Sequence, residues 1–64
     1  MKKYKFKDLQ FGQYYSNAEG FYQFIKMRNN YIAEFVEIVF DDDNDYYGHA
    51  SNVIYITENE LYFY

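Results

Sequence analysis

Cysteine, proline and tryptophan are absent from this 64-residue chain, which also holds only three glycines and one histidine. Without cysteine there is neither a disulfide framework nor a thiolate metal site, a composition that suits a reducing cytoplasm. Gly12, Gly20 and Gly48 stand far apart, so no glycine-rich phosphate loop is present. A long apolar run is missing as well. The longest apolar-leaning stretch, Tyr31 to Phe40, is ten residues and includes Glu34 and Glu37, whereas a membrane-spanning helix takes about 20 apolar residues. Met1 to Lys7 is basic, but no apolar segment of the kind a secretory leader carries follows it. The expectation is a soluble, cytoplasmic protein with no membrane partner.

Positive charge is missing from more than half of the chain. All six basic residues, Lys2, Lys3, Lys5, Lys7, Lys26 and Arg28, precede Asn29. From Asn29 to Tyr64 there are eight acids and a local charge of −8, against −4 for the whole chain. An asymmetry of this kind is a statement about partners more than about fold.

Catalytic chemistry has little to work with. A hydrolytic nucleophile needs a Ser, Thr or Cys beside a base, and the inventory is Ser16, Ser51, Thr57 and His49. Ser51 lies two residues from His49, but neither an orienting acid nor an oxyanion hole is evident, and a histidine in a loop between Gly48 and a strand is the simpler account. Carboxylate pairs such as Glu34/Glu37 and Glu58/Glu60 are too common here to discriminate. A glycosidase also needs a sugar cleft between its pair, which so small a domain is poorly sized to build. Asp41-Asp42-Asp43-Asn44-Asp45 resembles a calcium loop. Its sixth position, where glycine is needed, is Tyr46, and its twelfth, where a bidentate glutamate is needed, is Asn52. A solvated acidic loop is preferred to weak cation binding. The expectation is no enzyme, no metal and no cofactor.

What is abundant is aromatic surface. Ten tyrosines and seven phenylalanines make 27% of the chain, and each such ring buries roughly 150–250 Å². A chain this short buries only about 60% of the surface its unfolded form exposes, so rings are the means by which residues 1–64 form one domain. Lys3 to Lys7 alternates lysine with Tyr4 and Phe6 and reads as a half-buried strand. Asp8 to Gly12 reads as a tight turn plugged by Leu9 and Phe11, Gln13 to Ser16 as extended, and Asn17 to Gly20 as a loop. Phe21 to Met27 and Ser51 to Thr57 are strands by composition, with a hairpin turn at Arg28-Asn29-Asn30. Glu58-Asn59-Glu60 suits one helical turn before a short strand, Leu61 to Tyr64.

Tyr31 to Phe40 supports two readings. At helical spacing Ile32, Phe35, Val36, Val39 and Phe40 share a face. As a strand, Ile32, Val36, Ile38 and Phe40 share one side, with Glu34 out of place. The β-branched and aromatic content favours a strand. The chain is therefore expected to be mostly β, a small antiparallel SH3-like or OB-like barrel of five to six short strands. A curled antiparallel sheet with one helix at about 31–40 is the alternative. Phe35, Ile38, Val53 and Tyr55 are the expected centre of the core.

Adjacent tyrosines, Tyr14-Tyr15 and Tyr46-Tyr47, together with Tyr62-Phe63-Tyr64, place rings on both sides of any strand, and an outward tyrosine gives contact area at little rotamer cost. The expected partner-binding residues are Glu34, Glu37, Asp41, Asp42, Asp43, Asp45, Tyr46 and Tyr47, and the expected partner is a basic protein. Closely spaced carboxylates imitate a nucleic-acid backbone, which carries about one charge per 1.7 Å of duplex axis, so a nucleic-acid-binding enzyme is the candidate class. In size, acidity, lack of cysteine and wealth of tyrosine the chain is similar to phage-encoded anti-restriction and anti-CRISPR proteins and to DNA-glycosylase inhibitors. That similarity lies in composition, with no motif behind it. It implies a viral inhibitor, acting in the cytoplasm of a host cell, that occupies a basic groove by nucleic-acid mimicry. The alternative is a single-stranded nucleic-acid-binding barrel that stacks Tyr and Phe on bases and uses the N-terminal lysines, a reading the net negative charge opposes. Oligomeric state has no signature in the sequence.

Overall fold

The computed structural model describes residues 1–40 and 49–64, without the side chains of His49 and Ser51. Among the described residues there are six strands: β1 Lys2–Lys3, β2 Tyr14–Asn17, β3 Gly20–Met27, β4 Ile32–Val39, β5 His49–Thr57 and β6 Tyr62–Phe63. β2, β3, β4 and β5 form an antiparallel meander in chain order, and β1 pairs with β6 in a separate two-stranded ribbon. The segment over 31–40 is therefore a strand, and the helix alternative is excluded. The remaining regular pieces are two 3-10 turns, Phe6–Asp8 and Glu58–Glu60.

Local chemistry explains the turns. Asn17 closes the β2–β3 hairpin, its side-chain oxygen accepting from the Glu19 and Gly20 backbone N–H groups at 2.8 and 3.1 Å. Gly12 holds φ +78°, a left-handed conformation that residues with a Cβ rarely adopt. The turn it completes is closed by the Gln13 N–H on the Gln10 carbonyl, at 3.0 Å. Leu9 packs against the core, as expected of a plug, whereas Phe11 is 82% exposed.

The expected strand from Lys3 to Lys7 is a correction: only Lys2 and Lys3 pair, opposite Phe63 and Tyr62. The chain then bends because two carboxylates take its N–H groups. Asp8 accepts from Lys5 and Glu58 from Phe6, each at 2.9 Å. A side chain from far along the sequence thereby ties the first 3-10 turn to the second.

Register sorts the meander into two faces. On the inner face the ladders run Tyr15–Tyr22–Glu37, Phe24–Phe35–Ile54 and Met27–Ala33–Ile56. The core is this face, with Tyr15, Tyr22, Phe24, Ala33 and Phe35 buried together with Leu61 and Phe63 from the C-terminal segment, and Tyr4, Phe6 and Leu9 packed around them. Phe35 and Phe63 are wholly buried, and their rings lie 5.8 Å apart, a spacing at which tilted rings attract.

Of the four residues expected at the core, three are corrected. Phe35 sits at the centre, but Ile38 is half-buried on the opposite side of β4, and Val53 and Tyr55 are 53% and 50% exposed. The side of β4 carrying Ile32, Val36 and Ile38, grouped from the sequence, is the outer one; Ala33 and Phe35 mark the inner. Val53-Ile54-Tyr55-Ile56 is apolar at every position, so its alternation gives no phase, and a one-residue error moves every side chain to the other face.

No closed barrel forms among the described residues. β6 does reach the free side of β2, where the Tyr64 N–H donates to the Ser16 carbonyl at 2.9 Å. At the other end β5 pairs with β4 alone. Among the described residues no helix is long and apolar enough to cross a membrane.

Candidate functional site

The β1–β6 ribbon and the two 3-10 turns cover the inner face of the meander, and no described element covers the outer one. Its ladders are Tyr14–Gln23–Val36–Val53 and Lys26–Glu34–Tyr55, with Ser16 beside Phe21. Four strands each present apolar side chains here because β-branched and aromatic residues occupy both phases of this sheet, not one.

Rings organise the surface. Tyr14 and Phe21 stack with centroids 5.4 Å apart and planes 10° from parallel, and Phe21 meets Phe40 at 5.6 Å. Tyr14, Phe40, Val53 and Tyr55 are each about half exposed, while Val36 and Ile38 fill the space between strands and are half-buried. Aromatic side chains held by their neighbours in this way present area to a partner with little further ordering. At one border Arg28 lies over the Tyr55 ring, 4.8 Å from its centroid, and its Nη1 donates to the Tyr55 hydroxyl at 3.1 Å. The guanidinium thus fixes Tyr55 while remaining exposed.

The carboxylates expected to bind together are only partly described. Glu34 lies on the outer face between Lys26 and Tyr55. Glu37 lies on the inner face beside Tyr22 and accepts from the Asn52 side-chain amide at 3.2 Å, so β4 separates these two acids. Asp41, Asp42, Asp43, Asp45, Tyr46 and Tyr47 lie outside the described residues, as does the calcium-loop reading of the same stretch. They follow directly on Phe40, the last ring of the outer row. Lys2 and Lys3 sit on the ribbon, their ammonium groups 5.3 and 5.8 Å from the Tyr4 and Tyr62 ring centroids.

On the inner side, Tyr22 is the one described group with a clear change in acidity. Burial raises its phenol above the usual tyrosine value, and the Glu37 and Glu19 carboxylates add to the effect. It has no nucleophile to serve. Gly20 is the close neighbour that matters, since a Cβ there would stand 2.8 Å from the Tyr22 hydroxyl oxygen. Among the described residues no group of three or more metal-ligating side chains comes together.

The ring row was missed in the sequence, although its signal was present. Ile38, Val53 and Tyr55 read as core from the sequence, whereas they lie on the face that no described element covers. Comparison with protein-family models, curated proteins and solved structures found no match, so function has to be read from the chain's own surface.

Proposed function

We propose that this chain is a protein-binding module without catalytic activity, and that the outer face of its meander is the docking surface. The observation that carries the reading is the row Tyr14–Phe21–Phe40 continuing across to Val53 and Tyr55, on a sheet face that no described element covers. Contiguous apolar patches of this kind are uncommon on monomers and mark interaction sites. The fold does not need them exposed, and polar side chains on that face would keep the protein more soluble.

The partner is a protein with a basic margin. Asp41, Asp42, Asp43 and Asp45 follow Phe40 in sequence, and the chain carries a net charge of −4. Carboxylates beside an apolar patch steer a positively charged surface toward it, while the patch holds it there. In its sharper form the reading is inhibitory: the partner's basic surface is one that otherwise binds nucleic acid.

Binding kinetics with the partner recovered from the native host test both parts. Changing Asp41, Asp42, Asp43 and Asp45 together to Asn slows association severalfold at low salt, and Tyr55→Ala shortens the lifetime of the complex. Excess nucleic acid displaces the protein if the inhibitory form holds. An unchanged association rate for the fourfold variant at low salt removes the role given to the acidic stretch. An unchanged lifetime for Tyr55→Ala removes the docking face.

A further inference from the structure

β5 is a strand with a neighbour on one side. Among the described residues β4 covers one edge of His49–Thr57 and nothing pairs with the other. The edge of the ribbon differs: β1 is two residues long and both are lysines, the short charged form that discourages further pairing. From Ser51 to Thr57, β5 has no charge and no proline. An unpaired row of backbone N–H and C=O groups is matched by one kind of ligand, another extended chain.

A groove of about 480 Å³ lies against this strand. Ile54, Tyr55 and Ile56 line it from β5, Tyr22 from β3 and Tyr62 from β6, together with Met1 and the exposed carboxylates Glu19 and Glu60. Among the described residues no lysine or arginine lines it. The groove therefore occupies the seam between β5 and the ribbon, where the sheet stops short of closing, and its charged side chains are carboxylates alone, with Met1, which bears the chain's amino group, also at its lining.

We propose that this seam is a strand-addition site that takes an extended segment of a partner protein. The segment carries apolar residues at the alternate positions facing Ile54 and Ile56, and lysine or arginine within reach of Glu19 and Glu60. Backbone pairing with β5 supplies affinity, alternate side chains fill the groove, and the two carboxylates select the sign of the charge. A second copy of this chain is the weaker occupant, because each copy carries a net charge of −4 and repels the other. Tyr55 borders both the seam and the outer face, whereas Glu19, Glu60, Ile54 and Ile56 line the seam and are not part of the outer ring row, so the peptide and the Glu19/Glu60 variant test the seam separately.

The test is a titration of the isotope-labelled full chain with a capped peptide of about seven residues, the length of an ordinary strand, alternating lysine and valine. The peptide slows amide exchange at alternate residues of β5 and shifts the signals of Tyr22, Ile54 and Ile56. A glutamate–valine peptide of equal length binds about tenfold more weakly. The double variant Glu19→Gln/Glu60→Gln narrows that difference and keeps the oxygen that accepts the Thr57 N–H at 3.2 Å. Two lysine–valine peptides N-methylated in opposite phases separate strand pairing from simple adhesion: one phase retains binding and the other loses it. The proposal is overturned by equal binding of the two phases, by equal binding of the two charge types, or by no binding at all. Protection of β5 that rises with the concentration of the free protein also overturns it, by assigning the edge to a second copy.

Discussion

Phe35 touches rings from three other parts of the chain. Its centroid lies 6.0 Å from Tyr15, 5.4 Å from Phe24 and 5.8 Å from Phe63. Truncating a buried phenylalanine to alanine costs about 3–5 kcal/mol, as much as a domain of this size without disulfides or metal has in all, roughly 3–5 kcal/mol. Phe35→Ala is therefore expected to be largely unfolded at room temperature by circular dichroism. A cooperative melt near the wild-type temperature contradicts that. Tyr22 gives a second residue-scale prediction, in pH. Its phenol ionises at higher pH in the folded chain than in the unfolded one. The stability tied to its neutral form is therefore intact below the unfolded value and is lost as pH rises through the folded one. Denaturant titrations at about pH 8 and about pH 11, on either side of the ordinary tyrosine pKa, are expected to show a smaller loss for Tyr22→Phe than for the wild type. An equal loss means that Tyr22 does not titrate differently on folding.

Among the elements, the two 3-10 turns depend on one carboxylate. Glu58 accepts the Phe6 N–H at 2.9 Å, and Glu58→Ala leaves that donor without its partner at a cost of about 1–2 kcal/mol. A lowered denaturation midpoint, faster exchange of the Phe6 amide, and recovery of most of the loss in Glu58→Gln are expected. Unchanged exchange at Phe6 means that the tie between the turns is not formed in solution. This bond also shows why part of the fold was hidden in the sequence. Lys3 to Lys7 alternates as a strand does, and nothing local reveals that an acid far down the chain ends it. β3 and the central run of β5 were legible because β-branched and aromatic residues crowd there between Asn-rich turns. Their facing was not, since Val53-Ile54-Tyr55-Ile56 carries no polar phase marker. Leu61 and Phe63, both wholly buried, escaped notice because a short terminal strand has too few residues to show a period. Of the expected site, Glu34 is placed beside the ring row and Glu37 on the opposite side of β4, a separation that alternation along a strand imposes.

For the whole molecule, the organising fact is a four-stranded sheet with one covered face and, among the described residues, one uncovered face. The ribbon and turns cover the inner side, which carries the fold. The outer side, which no described element covers, is the face proposed to dock a partner, and the acidic stretch that begins at Asp41 follows Phe40 in sequence. A division of labour between faces has a consequence for stability: Val53→Ser and Tyr55→Ser, each half exposed at present, are expected to shift stability by less than about 1 kcal/mol, well below Phe35→Ala. The most direct measurement of the central claim is a photo-crosslinking scan in the cell that makes the protein. A crosslinking residue is placed in turn at Tyr14, Val53 and Tyr55 on the outer face, and at Lys7 and Asn59, exposed residues of the two 3-10 turns. The account predicts one protein adduct of the same mass from all three outer positions and none from the two turns. Equal adducts from Lys7 and Asn59, or none from the outer face, contradict it.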